Sequence, residues 1–240
     1  DFMFGAIAEV TCNFNIDGIE LCFRDTAYFP PDQAAARAHL LTDLVRRIRL
    51  LLNERNKERD KKLLLGARVY ASLEECSILG LDVSSWIQQD LLDYISPQDV
   101  MYADHNLPYP EWSALTQDTA CMLYPGLHPW TSYRARFRLG RTPLSPATAR
   151  ALAYTMYAAG ADGLSIYNHI GAYAWHPPFY PHSMQLFHQL RNPERIKHGE
   201  RHYIFDPTYA GLNVFGGDGR CTTGLIKAQQ LQLDRNQTAA

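Results

Sequence analysis

The stretch Asn15-Ile-Asp-Gly-Ile-Glu-Leu-Cys-Phe-Arg-Asp25 decides how the chain is read. Side chains alternate across a β-strand, so residues two apart share a face. Read as a strand over 18–23, this segment puts Ile19, Leu21 and Phe23 on one side. Glu20, Cys22 and Arg24 fall on the other. An apolar face packs against a core. An acid, a thiol and a cation in one row require a polar environment, and the ends of strands in α/β proteins supply one.

Outward from this strand the chain alternates between two periodicities. Residues 6–13 read as the end of a helix. Pro30 and Pro31 break the chain, and Asp32 is positioned to cap a helix from about 33 to 56. Leu40, Leu41, Leu44, Val45, Ile48, Leu51 and Leu52 form its apolar stripe. The run NERNKERDKK at 53–62 mixes both signs and reads as a solvated helix end. Further strands are expected at 63–70 (LLLGARVY), 91–96 (LLDYIS), 120–124 (ACMLY) and 162–167 (DGLSIY). Between them lie short helices at about 73–80, 83–89 and 109–115. A longer one runs from Pro146 to about Ala159, capped by Ser145 and ended by Gly160. A last helix is expected at 183–190.

Short apolar strands alternating with helices specify an α/β fold with a parallel sheet covered on both faces. Two architectures satisfy that pattern, an open doubly wound sheet and a (β/α)8 TIM barrel. No GxGxxG or GxxxxGK[ST] loop follows any strand, which removes support for the nucleotide-binding open sheet. Polar residues gather just after several strands, where barrel active sites lie. Only five strands are expected, against eight in a whole barrel. The chain therefore reads as about the last five βα units of a barrel over 1–205, followed by an irregular polar tail over 206–240. That tail carries FGGDGRCTTG at 215–224.

The totals exclude several roles. With 240 residues and a net charge of −2, the chain has no general attraction for nucleic acid or an acidic membrane. Its apolar runs are far shorter than a membrane span, and no charged-then-apolar leader opens the sequence. The five cysteines, Cys12, Cys22, Cys76, Cys121 and Cys221, are odd in number and lack CxxC spacing. They read as buried free thiols rather than as disulfides or zinc ligands.

Several blocks together resemble the (β/α)8 barrel of family-10-like glycosyl hydrolases. They are FNIDGIELCFR (14–24), where the family pattern is YxxDGIELxFxR and this chain has Phe14 for the Tyr and its Arg one position early, then LGARVY (65–70) and ILGLDVSSWIQQDLLDYISPQD (78–99). YPGLHP (124–129) and YAAGADGLSIYNHI (157–170) follow in the same order. The likeness covers about residues 6–202 and makes the five strands the last five of the barrel. It implies a carbohydrate substrate without fixing the reaction. No cofactor is expected, and no HxH or HExxH spacing supports a metal site. The opening strand also has the spacing of the chitinase-type motif DxxDxDxE. Asp17, Glu20, Cys22 and Arg24 occupy its four positions. Arginine cannot donate a proton near neutral pH, so substrate-assisted chitinase chemistry is not expected.

Glycoside hydrolysis uses two carboxyl groups, one as acid and one as base or nucleophile. Glu20 is the first candidate, with a structural ion pair to Arg24 or Arg68 as the competing reading. Asp99 and Asp104, after the third strand, are the candidates for the second. Arg24, Arg68 and Tyr70 are candidates for contacting a saccharide, as are His128, Trp130, Tyr167, Asn168, His169 and Trp175. Trp130 is a candidate stacking platform, and the aromatic segment 167–182 reads as an ordered loop over the site. The alternative is a carbohydrate-binding barrel without catalysis, which Cys22 and Arg24 in the strand motif favour. An aldolase-like barrel would need a Schiff-base lysine. Lys57, Lys61, Lys62 and Lys197 end no expected strand.

Overall fold

The computed structural model describes residues 2–24, 27–98, 105, 107–128, 144–169, 181, 184–203 and 238–239. After helix α1 (Phe2–Asn13) come strand β1 (Gly18–Cys22), helix α2 (Pro31–Asn56) and strand β2 (Leu64–Val69). Helices α3 (Leu73–Ile78) and α4 (Val83–Gln88) lead to β3 (Tyr94–Pro97). Helix α5 (Tyr109–Thr116) precedes β4 (Met122–Leu123) and β5 (Gly126–Leu127). Helix α6 (Pro146–Ala158), strand β6 (Ser165–Ile166), helices α7 (Gln185–Leu190) and α8 (Pro193–His198), and the short strands β7 (His202–Tyr203) and β8 (Thr238–Ala239) follow.

The sheet is parallel in the order β1-β2-β3-β4, and β5 pairs in parallel with β6. Strands β4 and β5 are two halves of one passage of chain. The Tyr124 N–H donates to Ile95 on one side, and Pro125 C=O accepts from Ser165 on the other. Proline has no N–H to give a ladder, so the passage divides there between its two neighbours. The fold is thus α/β, with a parallel sheet and helices between its strands.

Register separates the two faces. Ile19, Leu21, Leu65, Ala67, Val69, Ile95 and Leu123 lie on the helix-covered side, in a core with Val45, Ile48 and Leu52 of α2 and Trp86 of α4. On the opposite side stand Glu20 and Cys22, then Gly66 and Arg68, then Tyr94 and Ser96. A second core joins α5, α6, α7 and α8 through Tyr109, Leu152, Met156, Leu190 and Ile196.

The N-terminal rim of the sheet is tied by charge. Asp93 accepts the Leu65 N–H at 2.7 Å and pairs with Arg49 of α2 and with Lys62. Burial alone would raise its pKa, but hydrogen bonds from Lys62, Leu65 and Arg49 outweigh that and hold the carboxyl below its ordinary range. Ser145 caps α6 by accepting the Thr148 N–H at 3.1 Å, and Gly160, at φ +100°, ends that helix.

Several sequence expectations need correction. Asp32 lies inside the first turn of α2, because the helix already starts at Pro31, whose missing N–H costs nothing there. Leu40 is half-exposed, on the flank of the stripe. The third strand starts at Tyr94, since Leu91 and Leu92 are buried in the approach to it. The fourth is the divided pair β4 and β5, and the fifth shrinks to 165–166. Helix α8, capped by Asn192, was not anticipated. Cys76 and Cys121 are buried as expected, but Cys12 and Cys22 are exposed. Cys221, and all of 206–240 except 238–239, lie outside the described residues. Among the described residues no helix is long and apolar enough to cross a membrane.

Candidate functional site

Strand alternation puts Glu20, Arg68, Ser96 and Ser165 on the face away from the core, and hydrogen bonds among Glu20, Arg68 and Ser165 run across the strands. Arg68 is the hub. Its Nε donates to Glu20 Oε1 at 3.0 Å and its Nη2 to Glu20 Oε2 at 3.4 Å. Its Nη1 donates to Gln98 Oε1, and Nη2 reaches Ser165 Oγ at 2.6 Å. The Tyr94 hydroxyl donates to Glu20 Oε2 at 3.2 Å. One guanidinium therefore links β1, the end of β3, and β6. Charged donors with planar, two-pronged geometry make the stronger hydrogen bonds of this set.

Two glycines make the network possible. A Cβ at Gly66 would overlap the Tyr94 ring, and one at Gly126 would overlap the Gln98 side chain. Both long side chains lie flat along the sheet because the strand beside each presents no side chain there.

The network also bends the sheet. Strands β2 and β6 are three ladder spacings apart, about 14 Å if the sheet were flat. An arginine side chain spans about half of that. Arg68 nevertheless touches Ser165, and its guanidinium carbon stands 5.7 Å from the Tyr167 ring. The Arg24 guanidinium, at the far end of β1, stands 4.0 Å from the same ring. The sheet is curled with its polar face inside.

The predicted residues divide into three groups. Glu20, Arg68, Arg24, Tyr167 and His128 come together. Arg24 lies in a turn beyond β1 and is buried over Tyr167, and the His128 ring is buried 5.8 Å from it. The ion-pair partner of Glu20 is Arg68. Three others stand apart from that network. Tyr70 is buried in the first core rather than at the mouth of the sheet. Asn168 is exposed at φ +49°, a left-handed conformation that asparagine tolerates. His169 is buried with its ring 4.2 Å from Phe187 of α7. Asp99, Asp104, Trp130, Trp175 and most of 167–182 lie outside the described residues.

Sequence reading missed Tyr94, Gln98, Ser96 and Ser165. The signal was present. Period-two alternation through DYISPQ puts Tyr94, Ser96 and Gln98 on the face of Arg68, and SIY does the same for Ser165 and Tyr167. The expected strand 91–96 already contained Tyr94 and Ser96; what was missing was the register that sets them beside Gly66 and Arg68.

Burial, with the Glu20 carboxylate beside it, pushes the Tyr94 phenol up to about 12. Tyr94 is therefore a hydrogen-bond donor throughout the neutral range. The adjacent Tyr124 ring, 5.6 Å from Tyr94, is likewise raised by burial and by Asp162. Among the described residues no three His, Cys, Asp or Glu side chains gather as a metal ion would require. Glu20 is the one carboxylate in the network among those residues. It accepts hydrogen bonds on both oxygens. The sequence matches no protein-family model and no curated protein.

Proposed function

We propose that this protein is a glycoside-hydrolase-like enzyme built on a (β/α)8 barrel, with the curled polar face as the inside of that barrel. The observation that carries the reading is the convergence of Glu20, Arg68, Gln98, Ser165 and Tyr167 on the concave side of a parallel sheet. Barrels of this class hold their sites at the C-terminal ends of the strands. Arg24, Gln98, His128 and Tyr167 stand at those ends. Hydroxyl-rich ligands match such a mixture of guanidinium, amide, hydroxyl and aromatic groups.

In this reading Glu20 serves as nucleophile or base. Arg68 and Tyr94 hold that carboxylate by hydrogen bonds to its two oxygens. The acid that protonates the leaving oxygen then comes from the segment after β3, where Asp99 and Asp104 are the candidates. Arg24, His128 and the Tyr167 hydroxyl contact the sugar.

The test is hydrolysis of a panel of chromogenic glycosides and natural oligosaccharides by the protein and its Glu20→Gln variant. A loss of a hundredfold or more in kcat/KM supports the role of Glu20. Unchanged turnover reduces Glu20 to a structural partner of Arg68.

One observation favours a second reading. Both Glu20 oxygens are already engaged within the protein. A barrel that binds saccharide without cutting it needs nothing more from Glu20. Saccharide binding by calorimetry with no turnover of any glycoside would select it.

A further inference from the structure

Tyr94 is half-buried on the concave face, two strands from Glu20. Its ring crosses β2 directly over Gly66, where any side chain would collide with it. The hydroxyl arrives at Glu20 Oε2, the oxygen that Arg68 holds only loosely at 3.4 Å. Oε1 takes the closer Arg68 bond, at 3.0 Å. The carboxylate is therefore gripped from two directions, by a cation on one oxygen and by a phenol on the other. The Tyr124 ring stands 5.6 Å from Tyr94 and supports it from the next strand.

We propose that Tyr94 is a positioning residue that fixes the orientation of the Glu20 carboxylate, with Gly66 as the clearance that lets it reach. Without the phenol, Glu20 Oε2 keeps only a long bond, and the carboxylate can rotate about its last torsion. Tyr94 makes no bond to the substrate and transfers no proton. Its raised phenol pKa fits a permanent donor rather than an acid. The catalytic consequence rests on the glycosidase reading; the hydrogen bond itself does not.

The experiment keeps the two apart. Protein labelled with 13C at tyrosine Cζ is titrated by NMR, with the Tyr94 resonance assigned by its loss in Tyr94→Phe. Tyr94 is expected to stay protonated at pH 10.5, where an ordinary tyrosine, with a pKa of about 10, is mostly ionised. In Glu20→Gln its titration moves toward the ordinary range. An unchanged titration in Glu20→Gln overturns the proposal whatever the protein does with sugars.

Kinetics supply the second arm. Tyr94→Phe is expected to lower kcat about tenfold with KM changed less than twofold. Gly66→Ala, which displaces the same ring, should give the same pattern. Unchanged kcat in Tyr94→Phe overturns the positioning role. A loss beyond a thousandfold also overturns it, because Tyr94 would then touch the reacting atoms. If the unaltered protein turns over no glycoside, the hydrolase reading falls and saccharide affinity becomes the readout. Tenfold weaker binding in Tyr94→Phe then supports the proposal, and unchanged binding overturns it.

Discussion

Arg68 of β2 donates to Ser165 of β6 at 2.6 Å, across two intervening passages of chain. That bond requires a curled sheet, and the same guanidinium holds Glu20 and Gln98. Arg68→Met removes the cation and leaves Glu20 unbalanced, with Gln98 and Ser165 short of a partner. The expected loss is about 3 kcal/mol in urea unfolding. Glu20→Gln should cost less, about 1 kcal/mol, because the Glu20 side chain keeps 31% of its exposure and water can replace part of the bond. A double-mutant cycle on the two should show a coupling of about 1 kcal/mol.

The Asp93 cluster sets an acid dependence at the opposite rim. Its folded pKa lies below the ordinary 3.8. Stability from this carboxylate is complete above the unfolded value and is lost as pH falls through the folded one. At pH 7, Asp93→Asn should destabilise by about 3 kcal/mol, since buried Arg49 loses its counter-charge. The gap between variant and parent should narrow below about pH 4. Chemical denaturation at pH 7, 5 and 3 measures it.

Gly126→Ala tests whether the sheet needs its glycines. The new methyl overlaps the Gln98 side chain, which is itself fully buried. A loss of about 1–3 kcal/mol is expected. Gln98→Ala in the same background should relieve part of the strain, so the double variant should be more stable than the sum of the singles predicts.

Thiol chemistry separates the cysteines. Cys12 and Cys22 are exposed and should be alkylated by iodoacetamide at pH 7.5 in the native protein. Burial pushes the Cys121 thiol up to about 12, with Asp93, Asp162 and Asp90 adding to it. Burial, with Glu75 next to it, also raises Cys76. Both should be modified only after unfolding. Peptide mass spectrometry before and after addition of denaturant reads the difference.

Removal of the Ser145 cap, by Ser145→Ala, should cost about 1 kcal/mol through the orphaned Thr148 N–H. Thermal unfolding checks it. A Thr at the same position should retain most of the stability.

The sequence by itself determined the alternation of strands and helices, the parallel sheet, and the polar row through Glu20. Periodicity carries that information locally: two residues per repeat in DGIELCF, and between three and four in the α2 stripe. Helix α6 was legible to its ends because Ser145, Pro146 and Gly160 each act on the backbone beside them. What only the tertiary structure decided is which polar residues meet. Arg68 and Ser165 are 97 positions apart, and Tyr94 and Glu20 are 74 apart. Curling of the sheet brings the first pair together. A bare glycine on the intervening strand admits the second. The choice of Arg68 over Arg24 as the partner of Glu20 came from the same source. Arg24 lies beyond the end of its strand and turns onto Tyr167, whereas Arg68 lies on the adjacent strand two residues past Gly66, the register partner of Glu20. Spacing along one strand cannot reveal that, because the contact belongs to two.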